Sequence, residues 1–253
     1  QRDIQLNEPL TIGELIKLNL AKDQPFRLIL EAKGSATEIA SGLGQVSYKI
    51  RGLRCELYSY QRDGVAFLNL VSAQSIGCVL ADEMGLGKTV QVIALLLSEK
   101  ERNRCPNLVI VPATLLENWR REVSDFAPSL NTLVHSGPGR AGISQSLAAH
   151  DVVITSYDIA VRDGPMLSSI HWNVVALDEA QNIKNPEAQR TEAAKGLRRR
   201  VSIAITGTPL ENRLSDLWSI CDFALPGLLG TLQEFGATFA NELDDATLVS
   251  RLV

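Results

Sequence analysis

One stretch of nine residues, 81–89, constrains the fold of this chain more than any other. Its sequence is Ala-Asp-Glu-Met-Gly-Leu-Gly-Lys-Thr, and apolar runs at 76–80 and 90–97 flank it. A strand, a glycine-bearing loop and a helix in this order form a phosphate cradle, because loop N–H groups can point at phosphate oxygens. Lys88 supplies a positive charge, and Thr89 supplies a hydroxyl suited to Mg²⁺. The usual pattern G-x-x-x-x-G-K-[ST] has glycine where this chain has Asp82.

Short apolar runs alternate with helical patterns over most of the chain. The predicted strands are 76–80, 108–111, 132–135, 152–155, 174–177 and 201–205. The predicted helices are 88–99, 114–126, 187–197 and 211–223, with helical spacing also over 60–70. Continuous apolar strands separated by helices favour a mainly parallel sheet covered on both faces, a three-layer α/β fold.

Two adjacent carboxylates, Asp178 and Glu179, close the predicted strand 174–177. Ligands bind at the carboxyl ends of strands in open α/β sheets. Asp178 can reach Mg²⁺ directly or through a water, and Glu179 is the candidate base or positioner for a water attacking the γ-phosphate. An exposed acidic turn would have the same sequence, but the phosphate loop about ninety residues upstream favours a site.

These residues give the chain a resemblance to a known family. It resembles the first RecA-like lobe of a superfamily-two helicase-type ATPase of the Swi/Snf (sucrose non-fermenting) DNA-translocase family. That family's phosphate loop carries aspartate where other P-loops carry the first glycine, so Asp82 supports the assignment. Residues 57–65 resemble its adenine-side motif, with Gln61 at the glutamine that reads the base edge. Three further stretches resemble motifs Ia, Ib and III: 109–112 with 118–119, 154–157 and 205–212.

The resemblance implies a role for each matched residue. The expected ATP-binding residues are Gln61, Asp82, Gly85, Leu86, Gly87, Lys88 and Thr89. The expected catalytic residues are Lys88, Asp178 and Glu179, with Thr89 and Asp178 holding Mg²⁺. Contacts to DNA are expected from Pro112, Thr155, Ser156 and Tyr157. Coupling between the ATP and DNA sites is expected from Gln181, Thr206, Gly207 and Thr208; glutamine at 181 replaces a frequent histidine but can still hydrogen-bond to motif III.

The expected function is that of an ATP- and Mg²⁺-binding lobe of a double-stranded-DNA translocase. The second RecA-like lobe, with its arginine finger, does not fit after residue 230, so the chain alone is expected to hydrolyse ATP weakly or not at all. A non-catalytic ATP-sensing or docking module and an RNA-directed helicase lobe are the alternatives. Nucleosomes, RNA polymerase and invading DNA are all possible targets for relatives. Residues 182–186 are similar to bacterial members, which disfavours nucleosomes and makes a cytoplasmic, nucleoid-associated location the expectation.

Composition limits the remaining choices. Residues 1–52 are expected to form an irregular lead-in, 53–230 the ATP-binding lobe and 231–253 a helical run toward the second lobe. The chain starts at Gln1 without methionine or a signal pattern, so a piece of a longer protein is expected.

A net charge of -4 leaves DNA binding to local patches. No apolar run is long enough to cross a membrane. The scattered cysteines favour reduced thiols of a cytosolic protein.

Three other features have ordinary structural explanations. Trp119 is expected to pack its helix rather than to stack on a base. The run Arg198-Arg199-Arg200 is expected to be a solvated turn before a strand rather than a nucleic-acid patch. The histidines His135, His150 and His171 share no spacing and no evident carboxylate partner, and no chemistry is assigned to them.

Overall fold

A computed structural model describes residues 50–82, 85–102, 105–207 and 214–239. The lead-in predicted for 1–52 lies outside the described residues except for its last three positions. The strands are β1 Cys78–Leu80, β2 Asn107–Val111, β3 Thr132–His135, β4 Val152–Ser156, β5 Trp172–Leu177 and β6 Arg199–Ile205. The helices are α1 Ser59–Ala73, α2 Lys88–Arg102, α3 Leu116–Phe126, α4 Ser144–Ala148, α5 Tyr157–Arg162, α6 Gly164–Ser168, α7 Gln189–Lys195, α8 Leu214–Ala224 and α9 Leu232–Phe239. Short 3-10 helices occupy Ala113–Leu115 and Ala180–Ile183.

The six strands form one sheet in the order β1-β6-β5-β2-β4-β3, and every neighbouring pair is parallel. Successive side chains of a strand point to opposite faces, and β2 shows what this does to the core. Val109 and Val111 pack with α1, α2 and α3, whereas Leu108 and Ile110 pack with the helices from α4 to α8. Both faces are therefore covered, and the predicted three-layer α/β fold is confirmed.

The predicted strands all occur, each within two residues of its predicted ends. The helices α2, α3, α7 and α8 also match predictions, and α9 lies within the predicted helical run 231–253. Three short helices, α4, α5 and α6, were not predicted, because five or six residues are too few to show a helical period. In the described parts of the chain, every helix is too short or too polar to cross a bilayer.

The prediction of a solvated arginine turn is wrong for two of its three residues. Arg199 and Arg200 begin β6, and both guanidinium groups are engaged within the protein. Arg199 donates to main-chain oxygens at the end of α7 and to the carbonyl of Phe223. Burial lowers the pKa of Arg199 to about 10. This part of the run therefore ties the layers together and is not a free basic patch.

Candidate active site

The chemistry-bearing residues meet because their strands are neighbours. The phosphate loop follows β1, Thr206 follows β6 and Asp178 follows β5, and these three strands lie side by side. All are parallel, so their carboxyl ends open at one edge of the sheet, where ligands bind in such folds. A cleft of about 550 Å³ lies at this edge. The predicted site residues that line it are Gly85, Gly87, Lys88, Thr89, Asp178, Glu179, Thr206 and Gly207.

The phosphate loop is shaped by two glycines and closed by a lysine. Gly85 and Gly87 have φ angles of 87° and 77°, which residues with a side chain rarely adopt. Lys88 begins α2, so the positive end of that 15-residue helix faces the cleft. Its Nζ donates to the carbonyl oxygen of Asp82 at 2.6 Å, and Gln91 donates to the Asp82 carboxylate at 3.3 Å. Asp82 therefore fastens the start of the loop to α2.

Gln61 is buried on α1 and contacts the loop from the other side. Its Oε1 accepts the N–H of Tyr58 at 3.0 Å, and its Nε2 donates to the carbonyl oxygen of Leu86 at 3.1 Å. A Cβ added to Gly87 would lie 2.4 Å from that Nε2, so the glycine leaves room for the glutamine. The structure thus gives Gln61 a loop-supporting contact, and its contact with adenine stays a prediction.

Asp178 is held by hydrogen bonds to its carboxylate and its carbonyl oxygen, and its own N–H donates to the carbonyl oxygen of Ile110 at 2.8 Å. Trp119 Nε1 donates to Oδ2 at 2.7 Å, and the main-chain N–H of Glu179 donates to Oδ1 at 3.0 Å. The hydroxyl of Tyr157 donates to the Asp178 carbonyl oxygen at 2.7 Å. Burial raises the pKa of Asp178, the charge of Glu179 adds to this, and the Trp119 bond and the charge of Lys88 oppose it. These surroundings disfavour the negative charge of Asp178, so a cation bound beside it would stabilise the ionised carboxylate.

Glu179 has an uncommon backbone conformation. Its φ and ψ are 50° and 56°, in the left-handed region, which costs a residue with a side chain about 1 to 2 kcal/mol. The carbonyl oxygen of Glu179 accepts the main-chain and side-chain N–H groups of Asn182, both at 2.9 Å. Strained residues of this kind concentrate at functional sites, and Glu179 lines the cleft.

Gln181 joins Glu179 to the segment after β6. Its Nε2 donates to Glu179 Oε2 at 2.7 Å, and its Oε1 accepts the hydroxyl of Thr206 at 3.0 Å. The hydrogen bond expected between residue 181 and motif III is therefore present, although glutamine replaces histidine. Thr208 lies outside the described residues, and the coupling role of the whole group stays a prediction.

The residues predicted to contact DNA are mostly engaged inside the lobe. Thr155 is buried and donates to the carbonyl of His135, and Ser156 accepts the N–H of Ile159 at the start of α5. Tyr157 is buried against Asp178, and Pro112 is half-buried where β2 ends. These side chains therefore support the sheet edge, and contact between this edge and DNA stays a prediction.

Sequence reasoning missed two partners of the site. Trp119 packs in the core as expected, but its indole N–H also binds Asp178. Glu122 lines the cleft one helical turn further along α3, and burial raises its pKa despite a hydrogen bond from Asn118. The helical spacing of 118, 119 and 122 was visible, but not which of them face the strand ends.

His135 has a carboxylate partner that the sequence did not reveal. Its Nε2 lies 2.8 Å from Asp163 Oδ2, and Arg140 donates to both oxygens of the same carboxylate. The Arg140 bond and, to a lesser degree, the His135 bond lower the pKa of Asp163 although burial opposes them. None of the three lines the cleft. The inference that His135 has no carboxylate partner was therefore wrong. Asp163 is 28 residues away along the chain, so no local sequence pattern reveals the pair.

The donor set fits Mg²⁺ held together with a nucleotide. Thr89 and Asp178 offer a hydroxyl and a carboxylate to the same cleft, and Mg²⁺ prefers such oxygen ligands. Among the described residues, no group of three or more His, Cys, Asp or Glu side chains could hold a metal unaided. Mg²⁺ sites of phosphoryl-transfer proteins likewise combine one or two protein ligands with substrate phosphates. Contact between phosphate and Lys88 with the loop N–H groups stays a prediction.

Comparison with known proteins gives consistent matches. The sequence profile of the SNF2-related domain matches residues 60–253. The Bacillus subtilis protein YwqA, named as an ATP-dependent helicase/translocase, is 46% identical over 185 residues, which are 71% of this chain and 20% of YwqA. The Schizosaccharomyces pombe TATA-binding protein-associated factor mot1 is 36% identical over 206 residues, covering 76% of this chain and 10% of mot1.

A solved structure extends the likeness to the fold. The Sulfolobus solfataricus SWI2/SNF2 ATPase core in complex with double-stranded DNA is 40% identical, with a TM-score of 0.71. The match covers 77% of this chain and 41% of that one. The chain spans about a fifth of the length of the first curated relatives it matches, so it corresponds to one part of such proteins.

Proposed function

We propose that this chain, which belongs to the SNF2-related family, forms the ATP-binding first lobe of an ATP-dependent translocase on double-stranded DNA. One observation carries the proposal. The phosphate loop, the carboxylates Asp178 and Glu179, and Thr206 meet in a single cleft at the carboxyl edge of the sheet. This is the set of groups that phosphoryl transfer from ATP to water requires of one lobe.

The residues of the cleft divide the work. The loop N–H groups, the α2 N-terminus and Lys88 bind the phosphates and offset their charge. Thr89 and Asp178 would hold Mg²⁺, which would supply positive charge to offset that of the phosphates. Glu179 accepts a proton from the attacking water or orients it, and its backbone conformation and the Gln181 bond fix where its carboxylate lies.

Two parts of the mechanism lie beyond this lobe. Charge on the transferring phosphoryl group requires an arginine, which we assign to a second RecA-like lobe of the same protein. Double-stranded DNA would contact the strand ends near Pro112 and Tyr157. The similarity to a solved SWI2/SNF2 core in complex with double-stranded DNA supports DNA as the partner. RNA polymerase is one proposed protein target, because the resemblance of residues 182–186 to bacterial members disfavours nucleosomes. Co-purification with the full-length protein tests it.

ATP hydrolysis by the full-length protein tests the function. We expect double-stranded DNA to stimulate it more than single-stranded DNA or RNA. Stimulation by RNA alone would instead identify an RNA-directed helicase lobe. ATP binding with no stimulation by any nucleic acid would identify a sensing or docking module.

Two substitutions separate ATP binding from turnover. Lys88→Ala removes the phosphate-binding charge and should abolish ATP binding measured by calorimetry. Glu179→Gln keeps the shape and the hydrogen-bonding oxygen but removes the base, so ATP binding should persist while turnover falls about 10² to 10⁴-fold. Unchanged ATP affinity in Lys88→Ala would contradict the assigned phosphate contact.

A further inference from the structure

We propose that Trp119 and Tyr157 are positioning residues that fix the orientation of Asp178 toward Mg²⁺. The inference rests on the proposed function, because it takes Asp178 to be a carboxylate of the ATP site. Trp119 holds the side chain through Oδ2, and Tyr157 holds the main chain through the carbonyl oxygen, both at 2.7 Å. Both donors are used in these bonds, so each residue acts through Asp178.

Trp119 is suited to this task because it cannot move aside. Its side chain is 1% exposed and packs in the core with Val111 and Ile154. An indole has one hydrogen-bond donor and no acceptor, so its buried N–H can be satisfied only by an acceptor such as the Asp178 carboxylate. The packing of the ring therefore sets where Oδ2 lies.

The two bonds to the carboxylate leave room for a cation. Trp119 binds Oδ2 and the N–H of Glu179 binds Oδ1, so rotation of the carboxylate is blocked at both oxygens. Each carboxylate oxygen has two lone-pair sites, and each keeps one for Mg²⁺ or a water bound to it. The carboxylate is thus orientated before a metal arrives.

Tyr157 fixes the backbone on which that carboxylate stands. It is 3% exposed at the start of α5, directly after β4. Because β2 lies between β4 and β5, its hydroxyl reaches across one strand to the carbonyl oxygen of Asp178. That carbonyl immediately precedes the left-handed residue Glu179. Tyr157 therefore holds the turn that aims both carboxylates.

An isosteric replacement can remove the N–H of Trp119 without changing its shape. In 3-benzothienylalanine a sulfur atom replaces the indole N–H. Trp172 offers a matched control, because it is also fully buried and its Nε1 also donates a hydrogen bond, to the Leu167 carbonyl at 2.9 Å. It lies at the start of β5, whereas Asp178 follows the end of that strand, so the two residues are at opposite ends. Outer-shell partners of metal ligands are typically worth 10 to 100-fold in metal affinity.

The test measures metal binding in the full-length protein with ATP present, using Mn²⁺ as the probe and electron paramagnetic resonance as the readout. We expect the analogue at 119 to weaken Mn²⁺ binding about tenfold or more, while the affinity for metal-free ATP stays within about twofold. The analogue at 172 should leave both affinities unchanged. Tyr157→Phe should weaken Mn²⁺ binding by about tenfold or less, as expected for loss of one neutral hydrogen bond.

A second measurement leaves Trp119 itself unchanged. Each of the three tryptophans of this chain gives an indole N–H resonance in a ¹⁵N spectrum of the nucleotide-free protein. Asp178→Ala should move the Trp119 resonance and speed its exchange with solvent, while the Trp172 resonance stays in place. An unmoved Trp119 resonance would overturn the inference, even if analogues at position 119 prevented folding.

The outcomes separate this inference from the function beneath it. If the unmodified protein binds neither ATP nor Mn²⁺ with ATP, both the proposed function and the inference fail. If it binds both and the analogue at 119 binds Mn²⁺ equally well, only the inference is overturned. Equal weakening by the analogues at 119 and 172 would also overturn it, because the loss would then come from packing.

Discussion

A buried carboxylate at the far end of α2 from the phosphate loop provides a direct test of what stabilises this lobe. The Glu99 carboxylate accepts hydrogen bonds from Ser72 at 2.9 Å, from Asn173 at 3.0 Å and from Arg200 at 2.6 Å. These partners lie on or next to α1, β5 and β6, so one side chain joins four elements. Glu99→Gln keeps the size of the side chain and removes its charge.

The expected loss follows from the burial of both partners. The side chain of Glu99 is 2% exposed and that of Arg200 is 24% exposed. Removing one partner of a buried ion pair costs about 3 to 5 kcal/mol, because the other charge stays buried without compensation. Arg200 keeps its hydrogen bonds to Ser72 and Asn173 and some contact with solvent, so we expect the lower end, about 3 kcal/mol.

The effect should depend on pH with a definite sign. Burial opposes ionisation of Glu99, but the bonds from Asn173 and Ser72 and the charges of Arg200 and Arg102 outweigh it and lower its pKa. A lowered pKa stabilises the folded state above the ordinary value of 4.5, and this contribution is lost as pH falls through the folded-state pKa. The difference between the wild type and Glu99→Gln should therefore be largest near neutral pH and shrink below about 4.5.

Urea unfolding monitored by circular dichroism measures the free energy of unfolding. The matched control is Glu117→Gln, which removes the charge from the exposed pair of Glu117 and Arg120 and should leave the free energy of unfolding almost unchanged. A loss below about 1 kcal/mol in Glu99→Gln at pH 7 would refute the reasoning. So would a difference from the wild type that grows as the pH falls.

Three further substitutions test the site and its support. Gln181→Ala removes the bond to Glu179, and a hydrogen bond to a charged group is worth about 1.5 to 3 kcal/mol. We therefore expect the turnover number to fall about tenfold or more while calorimetry shows unchanged ATP affinity. Equal losses of turnover and ATP affinity would contradict a positioning role. Gly87→Ala places a Cβ 2.4 Å from Gln61 at a positive φ, so ATP affinity should fall in a binding titration. Gly77→Ala places a Cβ 1.9 Å from a main-chain oxygen, so urea unfolding should show a loss of about 3 kcal/mol or more with no specific effect on ATP binding; an unchanged unfolding midpoint would contradict this.

The sequence predicted the strands and helices of this lobe better than it predicted which of them lie side by side. Apolar runs located every strand, and the loop and the carboxylates Asp178 and Glu179 were placed at strand ends by the same patterns. The lateral strand order cannot be obtained from such patterns, because periodicity shows which face is buried but not which strand is adjacent. The bond between Trp119 and Asp178 joins residues 59 positions apart and depends on that order. The sequence therefore could not predict this bond, although it did predict that Trp119 packs its helix.

The arginine run shows how strand geometry separates stability from function in this lobe. Alternation along β6 sends Arg199 toward α7 and Phe223, and sends Arg200 toward Glu99 and α1. Both contacts lie at the start of β6, while the cleft lies beyond its end. Glu99 and Lys88 are eleven residues apart on α2, roughly 16 Å along the helix axis. Because the two ends share a rigid helix but no contacts, Glu99→Gln should lower the free energy of unfolding and leave ATP affinity within about twofold, as expected for independent sites at this distance.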